Sequence, residues 1–180
     1  MTVYIALFRG INVGGKNSLP MKDLVRILEE RGLANVRTYI QSGNAVFESD
    51  GVDPSELVET IQAAIETEHG FRPDVLLLDS EDLNSALAAN PFPEATTEPN
   101  RLHATFLTAA PVDPDLASLE EVRASTERFE LVGKVFYLHA PDGIGRSKLF
   151  SRVERSLGVS GTTRNWRTLT KLQAMAGPGA

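Results

Sequence analysis

The string Arg9-Gly10-Ile11-Asn12-Val13-Gly14-Gly15-Lys16-Asn17-Ser18 sets three glycines, two cations and two asparagines directly after an apolar run. Glycine lets successive backbone amides turn toward an anion, so the string is a candidate loop for an anionic or strongly polar ligand. It nearly spells a P-loop: Gly10, four residues, Gly15 and Lys16 fit, and the apolar run 75–78 ending at Asp79 imitates the strand and aspartate that assist magnesium. Asn17 stands where a Ser or Thr hydroxyl would bind the ion, however, and Leu19-Pro20 opens the next helix too late to bring its N-terminus to a phosphate. Nucleoside triphosphate hydrolysis of the P-loop kind therefore does not fit. A tight turn that requires glycine and an anion loop of another kind both remain open.

Three further strings are dense in polar groups. Pro141-Asp142-Gly143-Ile144-Gly145-Arg146-Ser147-Lys148 opens directly into an expected helix, where an anion would meet free amides and two cations. Its bland reading is a helix cap at Ser147 with solvated charges. Thr162-Thr163-Arg164-Asn165-Trp166-Arg167-Thr168 surrounds the only tryptophan. There Arg164 and Trp166 could stack a planar ligand and Asn165 read its edge, or Trp166 could anchor a last helix in the core. Arg37-Thr38-Tyr39-Ile40-Gln41-Ser42-Gly43-Asn44 is polar for a hairpin and is explained equally by cross-strand pairing and a turn of positive φ. If these strings share one ligand, Arg9, Lys16, Arg146, Lys148 and Arg164 supply charge. Gly14, Gly15 and Gly145 offer amides, Asn12, Asn44 and Asn165 orient, and Ser147 and Trp166 complete the contacts.

Charge along the chain supports such a site. The 180 residues carry a formal charge of -6, which excludes a protein that coats DNA through bulk charge. Residues 1–47 nevertheless hold six basic groups against three acids, residues 48–142 five against twenty, and residues 143–180 seven against Glu154 alone. Because the Debye length is about 8 Å at physiological salt, a ligand feels its local charge. If the two basic ends meet, an acidic protein has a basic cleft between its halves.

The chain has no cysteine, which excludes disulfides, thiolate nucleophiles and cysteine-ligated metals. His69, His103 and His139 show no metal-ligand spacing, so no metal site is expected and no cofactor is identified. No nucleophile elbow surrounds Ser147. If the protein is an enzyme, it is a transferase or hydrolase acting on a phosphate or acyl group by electrostatic positioning. No segment reaches the ~18 apolar residues of a membrane span, and the first apolar run stops at Arg9 without a basic leader, so a cytoplasmic location is expected.

The elements that must position these groups follow from periodicity. Residues 2–8 form a β-branched and aromatic strand, 20–31 a helix with Leu24, Ile27 and Leu28 inward, and 36–40 with 44–48 a hairpin about Ser42-Gly43. Asp53-Pro54-Ser55-Glu56 caps a helix burying Leu57, Ile61, Ala64 and Ile65, and 75–78 is a buried strand. This is the β-α-β-β-α-β order of a ferredoxin-like half over residues 1–89. A short helix from Ser80 and a proline-rich linker at 90–100 follow. Residues 101–176 then repeat the order without repeating the sequence. They supply a strand at 102–107, a helix opened by Asp113-Pro114, a hairpin around Gly133-Lys134, a helix at 147–157, a weak strand at 159–162 and a helix at 166–175. Residues 177–180 are expected to be disordered. The fold expected is α/β in the α+β sense: two ferredoxin-like halves plus a C-terminal helix. Ferredoxin-like order also admits RNA recognition, with Val3-Tyr4-Ile5 as a first-strand motif, although residues 43–47 lack its alternating surface aromatics.

Residues 7–17, Met21 and the run from Thr38 to Asn44 and Phe47 resemble the bacterial DUF1697 family, a domain of unknown function. Gly143 with Ser147-Lys148-Leu149, Thr163-Arg164-Asn165-Trp166 and Lys171-Leu172 resemble the same family's later motifs. The resemblance spans essentially the whole chain. It implies ferredoxin-like halves and brings no activity, cofactor or catalytic residue. The expectation for function is therefore binding of an anionic or polar small ligand, a phosphorylated metabolite or nucleotide. The alternatives are a noncatalytic partner of RNA or protein, and motifs that serve the fold alone.

Overall fold

The computed structural model of the chain describes residues 1–177. Of the tail expected at 177–180, residues 178–180 lie outside them. Contacts divide the chain into two compact units, Met1–Asn84 together with the segment from Lys171 onward, and Ser85–Thr170.

In the first unit, β1 (Thr2–Arg9) buries both faces, with Ala6 and Phe8 on one and Ile5 and Leu7 on the other, all fully inaccessible. Helix α1 (Met21–Glu30) places Leu24, Ile27 and Leu28 on one stripe, and Gly32, at φ 80°, turns the chain out of it. Strands β2 (Ala34–Thr38) and β3 (Asn44–Ser49) lead to α2 (Pro54–His69), whose N-cap Asp53 accepts the Ser55 N–H at 2.9 Å. Strand β4 (Asp74–Asp79) completes a sheet of order β2-β3-β1-β4 in which every neighbour pair is antiparallel. That is the ferredoxin-like order. Ala6, Phe8, Ala45 and Phe47 pack beneath α1 and α2 through Leu24, Leu28, Leu57 and Ile61.

After α3 (Ser80–Ala88), the proline-rich segment carries structure of its own: a 3-10 turn at Pro93–Thr97 buries Ala95, and Asn90 accepts the Phe92 N–H at 2.9 Å. The second unit then runs β5 (Leu102–Leu107), α4 (Leu116–Val122), β6 (Arg128–Val132), β7 (Val135–His139), α5 (Val153–Leu157), β8 (Gly161–Asn165) and the first turn of α6 (Trp166–Ala176), whose remainder from Lys171 belongs to the first unit. Its sheet order, β6-β7-β5-β8, is the same arrangement again, and Leu107, Phe136 and Leu138 meet Leu119, Val153 and Leu157 in its core.

Local details depart from the sequence reading for identifiable reasons. The hairpin joining β2 to β3 is not a two-residue turn: Tyr39 N–H bonds the Asn44 carbonyl at 2.9 Å across four residues, with Ile40 at φ 51° and Gly43 at φ 88°. The helix expected at 147–157 is a 3-10 turn at Phe150–Arg152 followed by the five residues of α5. Helix α4 starts at Leu116, capped by Asp115 rather than opened by Asp113-Pro114. The last strand lies at Gly161–Asn165, where its polar residues pair with β5.

Candidate functional site

The first glycine string is held mainly by its asparagines. Gly14 and Gly15 have φ of 59° and 73°, positive at both central positions as in a type I′ turn, and Lys16 N–H closes it on the Val13 carbonyl at 3.1 Å. Asn12 uses its whole amide on backbone: Nδ2 donates to the carbonyls of Leu19 (2.9 Å) and Gln41 (2.8 Å), and Oδ1 accepts the Leu19 N–H at 2.7 Å. Asn17 donates to the Gly10 carbonyl at 2.9 Å. Lys16, Gly14 and Gly15 face solvent, as does Arg9 at the end of β1. The resemblance to a P-loop stops here. Strands β1 and β4 are antiparallel, Pro20 sets the start of α1, and Asp79 accepts the Asp82 N–H at 2.7 Å in the first turn of α3.

Asn44 is completely buried, with Nδ2 donating to the Tyr39 carbonyl at 2.9 Å. In the last motif, Asn165 accepts the Thr168 N–H at 2.9 Å and so caps α6, while Trp166 is buried at its first turn. Arg164 sits on β8 opposite Ala104 and donates to the Thr163 carbonyl at 2.9 Å; burial pushes its guanidinium down to about 10. His103, also buried, is pushed down to about 4 by loss of solvent.

The second glycine string has a different environment. Gly143, Arg146, Ser147 and Lys148 line a depression of about 500 Å³ in the second unit, joined by Val122, Ala124, Glu127 and Asp142. Gly143, at φ 86°, makes the bend: its N–H bonds the Ala140 carbonyl at 2.8 Å, and a Cβ there would meet Nη1 of Arg101 at 2.6 Å. Gly145, in open space, carries the chain to Arg146. Ser147 accepts the Phe150 N–H at 3.0 Å and so caps the short helical segment. The capping reading thus holds for its lone pair, and no contact among the described residues takes its hydroxyl proton.

On the wall of this depression the acids are engaged and the cations are free. Glu127, only 4% exposed, accepts the Ala124 N–H at 2.8 Å, and Asp142 accepts the Thr126 hydroxyl at 2.7 Å. Arg146 and Lys148 are exposed and hold no ion pair among the described residues, unlike Arg26, Arg72, Arg123 and Arg128, each matched to a glutamate. The wall can therefore donate to an oxyanion from Arg146, Ser147 and Lys148, and accept from a hydroxyl or amine through Glu127 and Asp142. Glu127 had no signal in the sequence, being a lone acid before β6. No group of three or more metal-ligating side chains occurs among the described residues, and no helix there is long and apolar enough to cross a membrane.

The family described as "Protein of unknown function (DUF1697)" matches residues 1–137, and the chain belongs to that family. A solved structure of the conserved bacterial protein SP0830 from Streptococcus pneumoniae is similar to it, with 29% identity, a TM-score of 0.72, and coverage of 98% of this chain and 99% of that one. No curated protein matches.

Proposed function

We propose that this member of the DUF1697 family binds a small anionic and strongly polar ligand, a nucleotide or phosphorylated metabolite, in the depression at residues 142–148. The observation that carries this reading is the pairing of two free cations with two engaged carboxylates on one concave wall of about 500 Å³. That volume lies within the range of small-molecule sites. A phosphate group meets Arg146, Lys148 and the Ser147 hydroxyl, and ribose or sugar hydroxyls meet Glu127 and Asp142. The first glycine string and the hairpin string enter this reading as scaffold, because Asn12 and Asn17 of the one and Asn44 of the other are bonded to backbone.

A thermal-shift screen of nucleotides, sugar phosphates, acyl-CoA and short RNA tests the proposal. A ligand at one hundred times its Kd adds about 2.7 kcal/mol. With a nucleotide as the ligand, the gain should vanish in Arg146→Gln/Lys148→Gln and persist in Lys16→Ala. A screen in which only RNA stabilises, with a steep loss on adding salt, supports the RNA alternative instead. No stabilisation by any of these classes leaves the motifs to the fold.

A further inference from the structure

A second concave site lies in the same unit, further along the same basic stretch of sequence. Arg152, Arg155, Asp115, Ser118 and Ser156 line a depression of about 350 Å³ that no motif in the sequence marks. Arg152 and Arg155 stand three residues apart, one helical turn, which places their side chains as neighbours. Both are exposed and neither holds an ion pair among the described residues. The single acid of the last 38 residues, Glu154, accepts the Gly161 N–H at 3.1 Å instead.

The two serines form a relay. Their hydroxyl oxygens are 2.9 Å apart, and Ser118 also reaches the Asp115 carbonyl at 2.9 Å. With one proton each, two arrangements are available. Either Ser118 donates to Asp115 and Ser156 to Ser118, or Ser118 donates to Ser156 and the Ser156 proton turns to the depression. An oxyanion between the arginines favours the second arrangement. Asp115 is the one opposing charge, and its Oδ1 is occupied by the Ser118 N–H at 3.0 Å.

We infer that Arg152, Arg155 and the Ser118–Ser156 hydroxyl pair form a separate site for the phosphate of a small phosphate monoester. Two guanidinium forks and one hydroxyl match the acceptor oxygens of that group, and the lining retains a net positive charge. The small volume favours a compact ligand over a phosphorylated peptide. The site stands independently of the depression at 142–148.

The test is a backbone-amide NMR titration of the full chain with inorganic phosphate and with glycerol 3-phosphate, at ionic strength held constant with chloride. Saturable shifts are expected at Ser118, Arg155 and Ser156. Arg152→Gln/Arg155→Gln should weaken them at least tenfold while its melting curve stays that of the wild type. Asp115→Asn, which keeps a capping oxygen, should tighten binding two- to fivefold. Arg146→Gln/Lys148→Gln should leave this site unchanged, so that failure of one site is distinguishable from failure of the other. Shifts that stay linear to 50 mM, or that persist in the double arginine variant, overturn the inference. A phosphoserine peptide that binds tenfold more tightly than glycerol 3-phosphate overturns the small-ligand assignment.

Discussion

Replacing Gly43 with alanine puts the account of the first polar strings to a quantitative test. At φ 88°, Gly43 lies in the left-handed region, and a Cβ would meet Phe8 Cβ at 2.7 Å and Ile11 Cδ1 and Cγ1 at 2.6 and 2.9 Å. Phe8 and Ile11 are buried, and Phe8 Cβ is fixed to the backbone of β1, whose N–H bonds the Gly43 carbonyl at 2.9 Å. The left-handed backbone costs an alanine roughly 1–2 kcal/mol and overpacking typically another 1–3, so Gly43→Ala should destabilise by about 2–5 kcal/mol. Gly14→Ala isolates the first cost, because its φ is 59° and nothing lies within 4 Å of its added carbon. In urea unfolding, Gly43→Ala should lose about 1–3 kcal/mol more than Gly14→Ala, with unchanged m. Ile11→Val removes Cδ1 and should be less costly in the Gly43→Ala background than in the wild type. Equal losses for the two glycines, or no coupling to Ile11, would refute the steric argument.

The other perturbations address separate links. Asn12→Ala removes three backbone bonds and strands the N–H of fully buried Leu19, so it should cost about 1–3 kcal/mol by urea unfolding, whereas Lys16→Ala should change stability by less than about 0.5. His103, held near 4 when folded against 6.5 when free, binds fewer protons in the native state. Stability should therefore fall as pH drops below 6.5 and go on falling to about 4, with a loss of about 2 kcal/mol by pH 5. His103→Leu should remove that part of the pH dependence in urea melts at pH 7 and pH 5; an unaltered difference between the two pH values contradicts it.

Much of the architecture was legible because it rests on local rules. The stripe of Leu24, Ile27 and Leu28, the cap at Asp53 and the turn at Gly133 each settle an element within a few residues, and their order yields both sheets. The shift of the last strand to Gly161–Asn165 was hidden by composition. Thr162, Thr163, Arg164 and Asn165 look like a loop, and only pairing with β5 makes them a strand. The same ambiguity runs through the site. Asn12 and Asn44 have the chemistry of ligand contacts, and their neighbours across 29 and 5 residues of chain decide that it is spent on backbone. Arg146, Ser147 and Lys148 were legible as a loop. Their partner Glu127 was not, because its approach depends on the turn at 124–127 and on Asp142 bonding Thr126.

A titration of the 15N-labelled full chain with ADP asks most directly whether the depression at 142–148 is a ligand site. The account predicts saturable shifts confined to the amides of Ala124, Glu127, Gly143, Gly145, Ser147 and Lys148, lost in Arg146→Gln/Lys148→Gln while the fold persists. Shifts absent at millimolar ADP, or unchanged in the double variant, would contradict it.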